Sequence, residues 1–202
     1  MNNEKVINDY LKTYLIGAME KTGANDNGRG WRDRLRPELE SRFDQNNNPV
    51  YVFDPTIMEE ERTGYDVKEF HEKLDDWISS GQRDKIRESM DKIWKGKTSL
   101  KQSDEAKAEL HHMFGDVDYV RNSNFIICLI NEADKPCGTY FEAGYSYERN
   151  IPIYLIQTMA LGKYNKSFLG WVLGSGGEIF PNQKQLLEFL DKKYKLKKKE
   201  SK

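Results

Sequence analysis

The sequence predicts an α/β fold: a doubly wound, mostly parallel, Rossmann-like sheet with helices on both faces and a helical insertion. Three observations support this prediction. Short apolar runs rich in β-branched and aromatic residues alternate with longer stretches of helical periodicity. Two of the runs end at a glycine or a proline, as strands that lead into loops commonly do. The chain has 202 residues, 37% of them hydrophobic, so we expect a single domain over residues 1–191.

The first half of the predicted sheet comes from two short runs. The segment "KTYLIGAME" is a strand pattern that ends at Gly17 and leads into a polar, glycine-rich loop over residues 20–30. An apolar stripe of period four then predicts a helix over residues 31–43, which contains Pro37. The run "VYVFDP" is a second strand pattern, which stops at Pro55.

Residues 57–115 contain no strand pattern. The stretches "VKEFHEKLDDWI", "RDKIRESMDKIW" and "SDEAKAELHHMF" each have amphipathic helical spacing, and Gly81 and "KGKTS" separate them. We interpret this region as a helical insertion, to which the sequence assigns no role.

The second half of the sheet follows the insertion. A short helix headed by Asp116 leads into the clearest strand, residues 125–130. A turn, a helix over residues 139–150 and the strand "IPIYLI" come next. The chain then has an edge-strand pattern, "EIF", and a last helix, "NQKQLLEFLDKKY", for which Asn182 is the expected N-cap.

Charge and hydropathy exclude several classes of protein. The net charge of -1 gives no overall field that would attract a nucleic acid polymer. The basic stretch "KKYKLKKKESK", residues 192–202, predicts a frayed helix end or a disordered tail rather than a nucleic-acid arm. No signal-peptide pattern or membrane-spanning run is present. We therefore expect a cytoplasmic protein without a membrane partner.

The cysteines and histidines form no metal-ligand or disulfide pattern. Cys128 falls within a strand pattern and indicates core, whereas Cys137 precedes a glycine turn. His71, His111 and His112 lie in the insertion, where we interpret them as surface or partial-core residues. The sequence therefore predicts no metal site and no cofactor, and two cysteines are typical of a reducing compartment.

Two acids lie where an α/β sheet binds its ligands, near the carboxyl ends of the strands. Glu142 lies early in the helix after the strongest strand, and Asp116 heads the helix before that strand. Negative charge at a helix N-terminus contributes roughly 0.3–1 kcal/mol, so either acid has an ordinary structural explanation. Glu142 also has glycines and aromatic residues on both sides, an apolar setting that favours a reactive carboxylate. Both interpretations stay open at this point.

Three motifs occur in order along the chain. The first strand contains Tyr14 and Gly17 in "YLIG", Asp116 stands eight residues before "NFIICL", and the turn "GTYFEAG" contains Gly138 and Glu142. In this order they resemble the nucleoside 2-deoxyribosyltransferase family and its nucleotide N-glycosidase relatives. The resemblance covers roughly residues 12–56 and 114–172, and it implies a doubly wound α/β fold.

The resemblance also implies a reaction, a retaining displacement at the anomeric carbon of a nucleoside or nucleotide. Glu142 would attack C1' and form a glycosyl-enzyme, which a second base or water then releases. Asp116 would orient the sugar or manage protons, and Tyr14 would hold the carboxylate of Glu142 through a phenolic hydrogen bond.

Further positions would bind the substrate. Gly17, Ala18 and Met19 occupy the loop where the hydrolase relatives hold a 5'-phosphate with a Ser and an Arg. Glu20 follows them, and this acid favours a nucleoside over a nucleotide unless Lys21, Arg29 or Arg32 reaches in. Trp31 is near enough to stack on a base, although a place in the core explains it equally well.

The loop after the strongest strand departs from the family pattern. Pro136 occupies the position at which transferases of the family place an acid that faces the base, and Asp134 substitutes only if the loop bends. Gly138 forms the turn.

Ser167, with Asn165 close by, matches a position that completes a neighbouring subunit's site in the family. This match implies a homo-oligomer, a dimer or larger, and an ordinary surface serine is the alternative interpretation.

Three functions remain in competition. The first is transfer of deoxyribose between nucleobases, the second is an N-glycosidase that releases the base to water, and the third is a non-catalytic nucleotide-binding module. The expected partners are a nucleoside or nucleotide and a nucleobase. The sequence does not distinguish ribose from deoxyribose, and it does not distinguish a cellular protein from a viral one.

Overall fold

The computed structural model describes residues 10–19, 28–95, 115–134 and 136–199, and over these ranges it confirms the predicted α/β class. The strands in chain order are β1 (Lys12–Gly17), β2 (Arg42–Phe43), β3 (Tyr51–Phe53), β4 (Phe125–Leu129), β5 (Ile153–Ile156), β6 (Glu178–Phe180) and β7 (Lys197–Lys198). The α-helices are α1 (Arg29–Glu40), α2 (Pro55–Thr63), α3 (Val67–Ser79), α4 (Arg83–Lys95), α5 (Asp116–Asn122), α6 (Cys137–Glu148), α7 (Lys166–Gly174) and α8 (Gln183–Lys193).

Five strands form one parallel sheet in the order β3-β1-β4-β5-β6. The chain moves from β1 to β3 on one side and then crosses to β4 on the other side of β1. The strand order therefore reverses between β1 and β4, and a ligand crevice is expected beyond the carboxyl ends of these two strands. Gly17 and Leu129, the last residues of β1 and β4, are register partners at this edge.

Two apolar clusters cover the two faces of the sheet, because alternate strand residues point to opposite faces. Tyr14 and Ile16 of β1 belong to one cluster together with residues of α5, α6 and α7. Leu15 belongs to the other cluster, together with residues of α1 and α8. The sheet is thus covered on both faces, as the sequence predicts for a parallel sheet.

The insertion is helical where the structure describes it. The stretches predicted as helices between residues 67 and 94 form α3 and α4, and α2 precedes them directly after β3. Asp54 begins α2 by accepting hydrogen bonds from the backbone N–H and the hydroxyl of Thr56, at 3.0 and 2.7 Å. The third predicted helix, residues 103–114 with His111 and His112, lies outside the described residues.

Several predicted boundaries shift. The helix predicted over residues 31–43 is α1, which ends at Glu40 because Arg42 and Phe43 form β2. The helix predicted over residues 139–150 is α6, which begins two residues earlier, at Cys137, so that Glu142 lies in its second turn rather than its first. Asn182 caps α8 as predicted, because its side chain accepts from the N–H of Gln185 at 3.0 Å.

The basic C-terminal stretch is not simply a tail as far as residue 199, and the prediction for this part was wrong. Residues 192 and 193 belong to α8, and β7 pairs antiparallel with β2. Leu196 is buried in the core, Lys198 contacts Glu38 at 2.8 Å, and Arg42 contacts Asp191 at 2.7 Å. Besides Leu196, the ring of Tyr194 packs against the core, stacked on Phe125 at 5.0 Å between centroids, although the composition of this segment is that of an exposed one.

Among the described residues, no helix is long and apolar enough to cross a membrane.

We predict that Leu196→Ala lowers the free energy of unfolding by at least about 2 kcal/mol, because it removes buried apolar contacts. The matched control is Lys197→Ala, an exposed neighbour in β7 that we expect to stay within about 0.5 kcal/mol of the wild type. Urea unfolding followed by circular dichroism measures both variants. Equal unfolding midpoints for the two variants would show that residues 194–199 contribute nothing to the core.

Candidate functional site

A cavity of about 270 Å³ lies beyond the carboxyl end of β1, beside the loop that follows β4. Its volume is near the lower end of the roughly 300–1,000 Å³ range of small-molecule sites. The end of β1, the starts of α5 and α6, and the inserted helices α2, α3 and α4 all contribute to its lining. This is the position at which a sheet of this strand order is expected to bind its ligand.

Glu142 lies in this cavity and is bonded to Tyr14. The side chain of Glu142 is 7% exposed, and the hydroxyl of the fully buried Tyr14 donates to its Oε1 at 2.9 Å. No acid occupies the first turn of α6, and Pro136 at the N-cap makes no side-chain cap. Glu142 therefore does not cap its helix, and the explanation by helix capping was wrong for this residue.

The two acids of α5 have different surroundings. Asp118 accepts from the N–H of Gly115 at 3.4 Å and contacts Arg121 at 2.7 Å, so it supplies the capping interaction of the helix. Asp116 is 4% exposed and lines the same cavity as Glu142. Two carboxylates from different helices thus face one cavity.

A buried cation lies at the same end of the sheet. Arg32 is 0% exposed, and its guanidinium donates to the carbonyls of Leu15, Gly17 and Gly28 at 3.2, 2.9 and 2.7 Å. Its Nε also lies 4.0 Å from Asp54. Burial lowers the pKa of Arg32, while the negative charge of Asp54, and then that of Glu142, act in the opposite direction.

Two glycines lie beside this cation at positions where a side chain would clash with neighbouring atoms. A Cβ on Gly17 would lie 2.5 Å from the Leu129 carbonyl oxygen and 3.1 Å from the ring of Trp31. Gly28 has a φ of 72°, and a Cβ there would lie 2.2 Å from the Ala18 carbonyl oxygen. The chain therefore passes close to itself at the edge of the cavity, and side chains at these two positions would force it apart.

The structure brings together most of the predicted site residues. Glu142, Asp116, Gly17, Ala18, Met19 and Gly138 line the cavity, and Tyr14 reaches it through its bond to Glu142. These residues come from three separate segments of the chain, which the crossover between β1 and β4 brings to one edge of the sheet.

Besides Tyr14, which is bonded to a lining residue, three predicted residues do not line the cavity. Trp31 packs in the core below the sheet edge and is 8% exposed, so its alternative interpretation as a core residue fits the structure. Asp134 accepts from the backbone N–H of Asn131 at 2.7 Å, so the loop does not bend this acid toward the cavity. Ser167 is exposed in the first turn of α7, where Asn165 accepts from its N–H at 2.9 Å, and its role in a neighbouring subunit stays a prediction.

The basic groups considered for a phosphate differ in position. Arg32 lines the cavity, whereas Arg29 does not and donates to the Thr56 carbonyl oxygen at 3.5 Å. Glu20 and Lys21 lie outside the described residues.

The inserted helices supply a wall of the cavity that the sequence analysis did not predict. Glu59, His71 and Trp94 line it from α2, α3 and α4. A Cβ on Gly138 would lie 3.7 Å from the ring of Trp94, and this ring meets Phe141 edge to face at 5.1 Å between centroids. Amphipathic spacing predicted the helices, but no local signal indicated which of their residues would face the ligand site.

No group of three or more His, Cys, Asp or Glu side chains is arranged to hold a metal ion within the described ranges. Cys128 is fully buried, as the strand pattern predicts, and burial raises the pKa of its thiol well above the usual value, with the charge of Glu142 acting in the same direction. Cys128 is therefore unsuited to act as a thiolate nucleophile. Cys137 is exposed and lines the cavity.

Comparison with known proteins adds no functional information. No protein-family model and no curated protein matches the chain. The chain is similar to the crystal structure of a conserved protein from Enterococcus faecalis V583, with a TM-score of 0.48 and 13% sequence identity, over 91% of this chain and 99% of that chain. We draw nothing about the site from this degree of likeness.

We predict that Arg32→Ala lowers the free energy of unfolding by about 3–5 kcal/mol, because it leaves Asp54 and three backbone carbonyls without their buried partner. Arg34→Ala is the matched control, since Arg34 is exposed on the same helix. Chemical denaturation of both variants measures the difference. A loss of less than about 1 kcal/mol in Arg32→Ala would show that the buried guanidinium does not stabilise the fold.

Proposed function

We propose that the protein is a nucleoside 2-deoxyribosyltransferase-like enzyme, which cleaves the N-glycosidic bond of a (deoxy)nucleoside through a covalent glycosyl-Glu142 intermediate and transfers the sugar to another base. The observation that carries this proposal is the hydrogen bond of 2.9 Å from Tyr14 to Glu142 at the cavity that Asp116 also lines.

The surroundings of Glu142 suit a nucleophile. A carboxylate in a mostly dry site is less solvated by water and attacks more readily, provided that its geometry is held. The Tyr14 hydroxyl donates to Oε1, so this hydrogen bond orients the carboxylate. The oxocarbenium-like charge that develops at C1' would be stabilised by the nearby carboxylates.

Asp116 has a separate task in this proposal. As the first residue of α5 it comes from a different helix than Glu142, so the two carboxylates approach the cavity from different directions. A carboxylate that accepts hydrogen bonds from sugar hydroxyls would hold C1' in line with Glu142. Asp116 would thus orient the sugar while Glu142 forms the covalent bond.

Several contacts favour a nucleoside over a 5'-monophosphate. Ala18 and Met19, which line the cavity after β1, carry no charge or hydrogen-bonding side chain for a phosphate. Arg32 does line the cavity, but its guanidinium donates to three backbone carbonyls and contacts Asp54. A phosphate dianion would have to compete with these buried interactions.

Hydrolysis is the second candidate, and Pro136 is the observation that favours it. Pro136 is buried and lines the cavity at the position where transferases of the family would place an acid facing the base. Proline has neither an ionisable side chain nor an N–H, so it cannot exchange a proton with an incoming base. Water would then be the acceptor of the sugar.

Assembly is a further part of the proposal. We expect a homo-oligomer, a dimer or larger, in which Ser167 completes the cavity of a neighbouring copy. The exposed position of Ser167 on α7 is compatible with this role.

We predict that the wild-type protein, given a 2'-deoxynucleoside and a different free base, forms the new nucleoside, which chromatography detects. Glu142→Gln keeps the size of the side chain but removes the nucleophilic charge, so we expect turnover to fall at least about 1,000-fold. Glu148→Gln makes the same chemical change on the same helix, where the side chain is 67% exposed, and should leave turnover unchanged.

The products separate the candidate functions. A new nucleoside supports transfer, and free base and sugar without a new nucleoside support hydrolysis. If the wild-type protein binds nucleosides but neither product forms across the common deoxynucleosides and their monophosphates, the protein is a binding module and the proposed reaction is wrong.

A further inference from the structure

The inserted helices bring an acid and a histidine together at the cavity. Glu59 of α2 is 2% exposed, and the Nε2 of His71 on α3 lies 4.0 Å from its Oε1, within ion-pair distance. The side chain of His71 is 19% exposed, so it is neither a free surface group nor fully enclosed. Both residues line the same cavity as Glu142.

With Asp116 holding the sugar, the proposed reaction also needs a proton donor for the departing base. When the bond from C1' to the base nitrogen breaks, the departing base carries the bonding electron pair and leaves more readily when it is protonated. The loop after β4 offers Pro136 at the cavity, which has no proton to give. The proton donor must come from another element.

Few titratable groups line the cavity among the residues that the structure describes. Besides the Glu59–His71 pair, the lining contains Arg32 of α1, Asp116 of α5, and Cys137 and Glu142 of α6. Arg32 stays charged and is held by backbone carbonyls, Glu142 must be ionised to attack, and Asp116 serves the sugar. A histidine is the side chain whose ordinary pKa suits proton transfer near neutral pH.

We propose that His71, held by Glu59, is the general acid that protonates the departing base, so that the helical insertion supplies the base subsite of the enzyme. This inference rests on the proposed function and assigns a role to the insertion. The carboxylate of Glu59, 4.0 Å from Nε2, stabilises the positive charge of the imidazolium.

Trp94 gives the base a flat surface in the same cavity. Its ring lies against Gly138, which precedes Glu142 by four residues on the same face of α6, one turn or about 5.4 Å away. Phe141 supports the ring edge to face. A base stacked on Trp94 would therefore lie beside C1' when the sugar is in reach of Glu142.

The proposed step balances. An Oε of Glu142 forms a bond to C1' while the C1'–N bond breaks, and its electron pair goes to the base. The base takes the proton of the His71 imidazolium, which becomes neutral imidazole. In the second half, an incoming base or water attacks C1', gives its proton to His71, and releases the Glu142 carboxylate, which restores the starting state.

The test compares two leaving groups. One substrate is the common 2'-deoxynucleoside that the wild-type protein cleaves fastest, and the other is N7-methyl-2'-deoxyguanosine, whose cationic base leaves without protonation. His71→Asn should lower kcat/KM for the first substrate by about 100- to 10,000-fold and for the methylated substrate by less than about 3-fold. Glu142→Gln should abolish cleavage of both substrates.

Two further variants complete the design. Glu59→Gln should show the same selective loss in weaker form, and Glu72→Gln is the control, since Glu72 follows His71 on α3 with its side chain 67% exposed. Thermal unfolding shows whether each variant is folded.

If the wild-type protein does not cleave the methylated substrate, the pH dependence of kcat/KM for the common deoxynucleoside is compared between the wild-type protein and His71→Asn instead. The wild-type value should decline at alkaline pH, and His71→Asn should lack this decline.

Different results overturn different claims. If the wild-type protein cleaves no nucleoside, the proposed function fails. If it cleaves nucleosides but folded His71→Asn loses activity equally on both substrates, or on neither, the proposed function stands and His71 is not the general acid. In the pH comparison, if kcat/KM of His71→Asn still declines at alkaline pH, the proposed function again stands and His71 is not the general acid.

Discussion

The buried guanidinium of Arg32 is the constraint on which the candidate site depends. Removing a cation from water costs several kcal/mol, so the fold must surround it with partners. The carbonyls of Leu15 and Gly17 at the end of β1, the Gly28 carbonyl and the carboxylate of Asp54 after β3 provide them. One side chain thus ties together the end of β1, the start of α1 and the start of α2.

This cation also makes an ionised Glu142 tolerable at 7% exposure. The charges of Arg32 and Glu142 act on each other, since Glu142 works against the lowering of the pKa of Arg32 by burial, and Tyr14 donates directly to the Glu142 carboxylate. Arg32 and Tyr14 thus both act on the Glu142 carboxylate at the cavity, the first through its charge and the second through a hydrogen bond. The same arrangement that stabilises the fold prepares a carboxylate for reaction.

The sheet could be predicted from the sequence because strand periodicity is local. The position of Glu142 and Asp116 at its ligand-binding edge could be predicted because ligand sites follow the carboxyl ends of parallel strands. The wall formed by Glu59, His71 and Trp94 could not, because the packing of α2, α3 and α4 on one another depends on contacts between distant residues. Trp31 was ambiguous for a similar reason. Its ring packs in the core beside Gly17, where a Cβ would lie 3.1 Å from the ring. The segment after α8 packs through Tyr194 and Leu196, two residues within a stretch whose basic composition is typical of an exposed segment.

The most direct test of the central claim, that Glu142 is the nucleophile, is to trap the sugar on it. In a 2'-fluoro-2'-deoxynucleoside with a good leaving base, the electron-withdrawing substituent slows both steps, but the leaving base keeps formation of the glycosyl-enzyme faster than its release, so the intermediate accumulates. Intact-mass spectrometry followed by peptide mapping should find one fluorinated sugar attached to the peptide that contains Glu142. Release of free base without any adduct, or an adduct on Asp116 or another residue, would contradict the account.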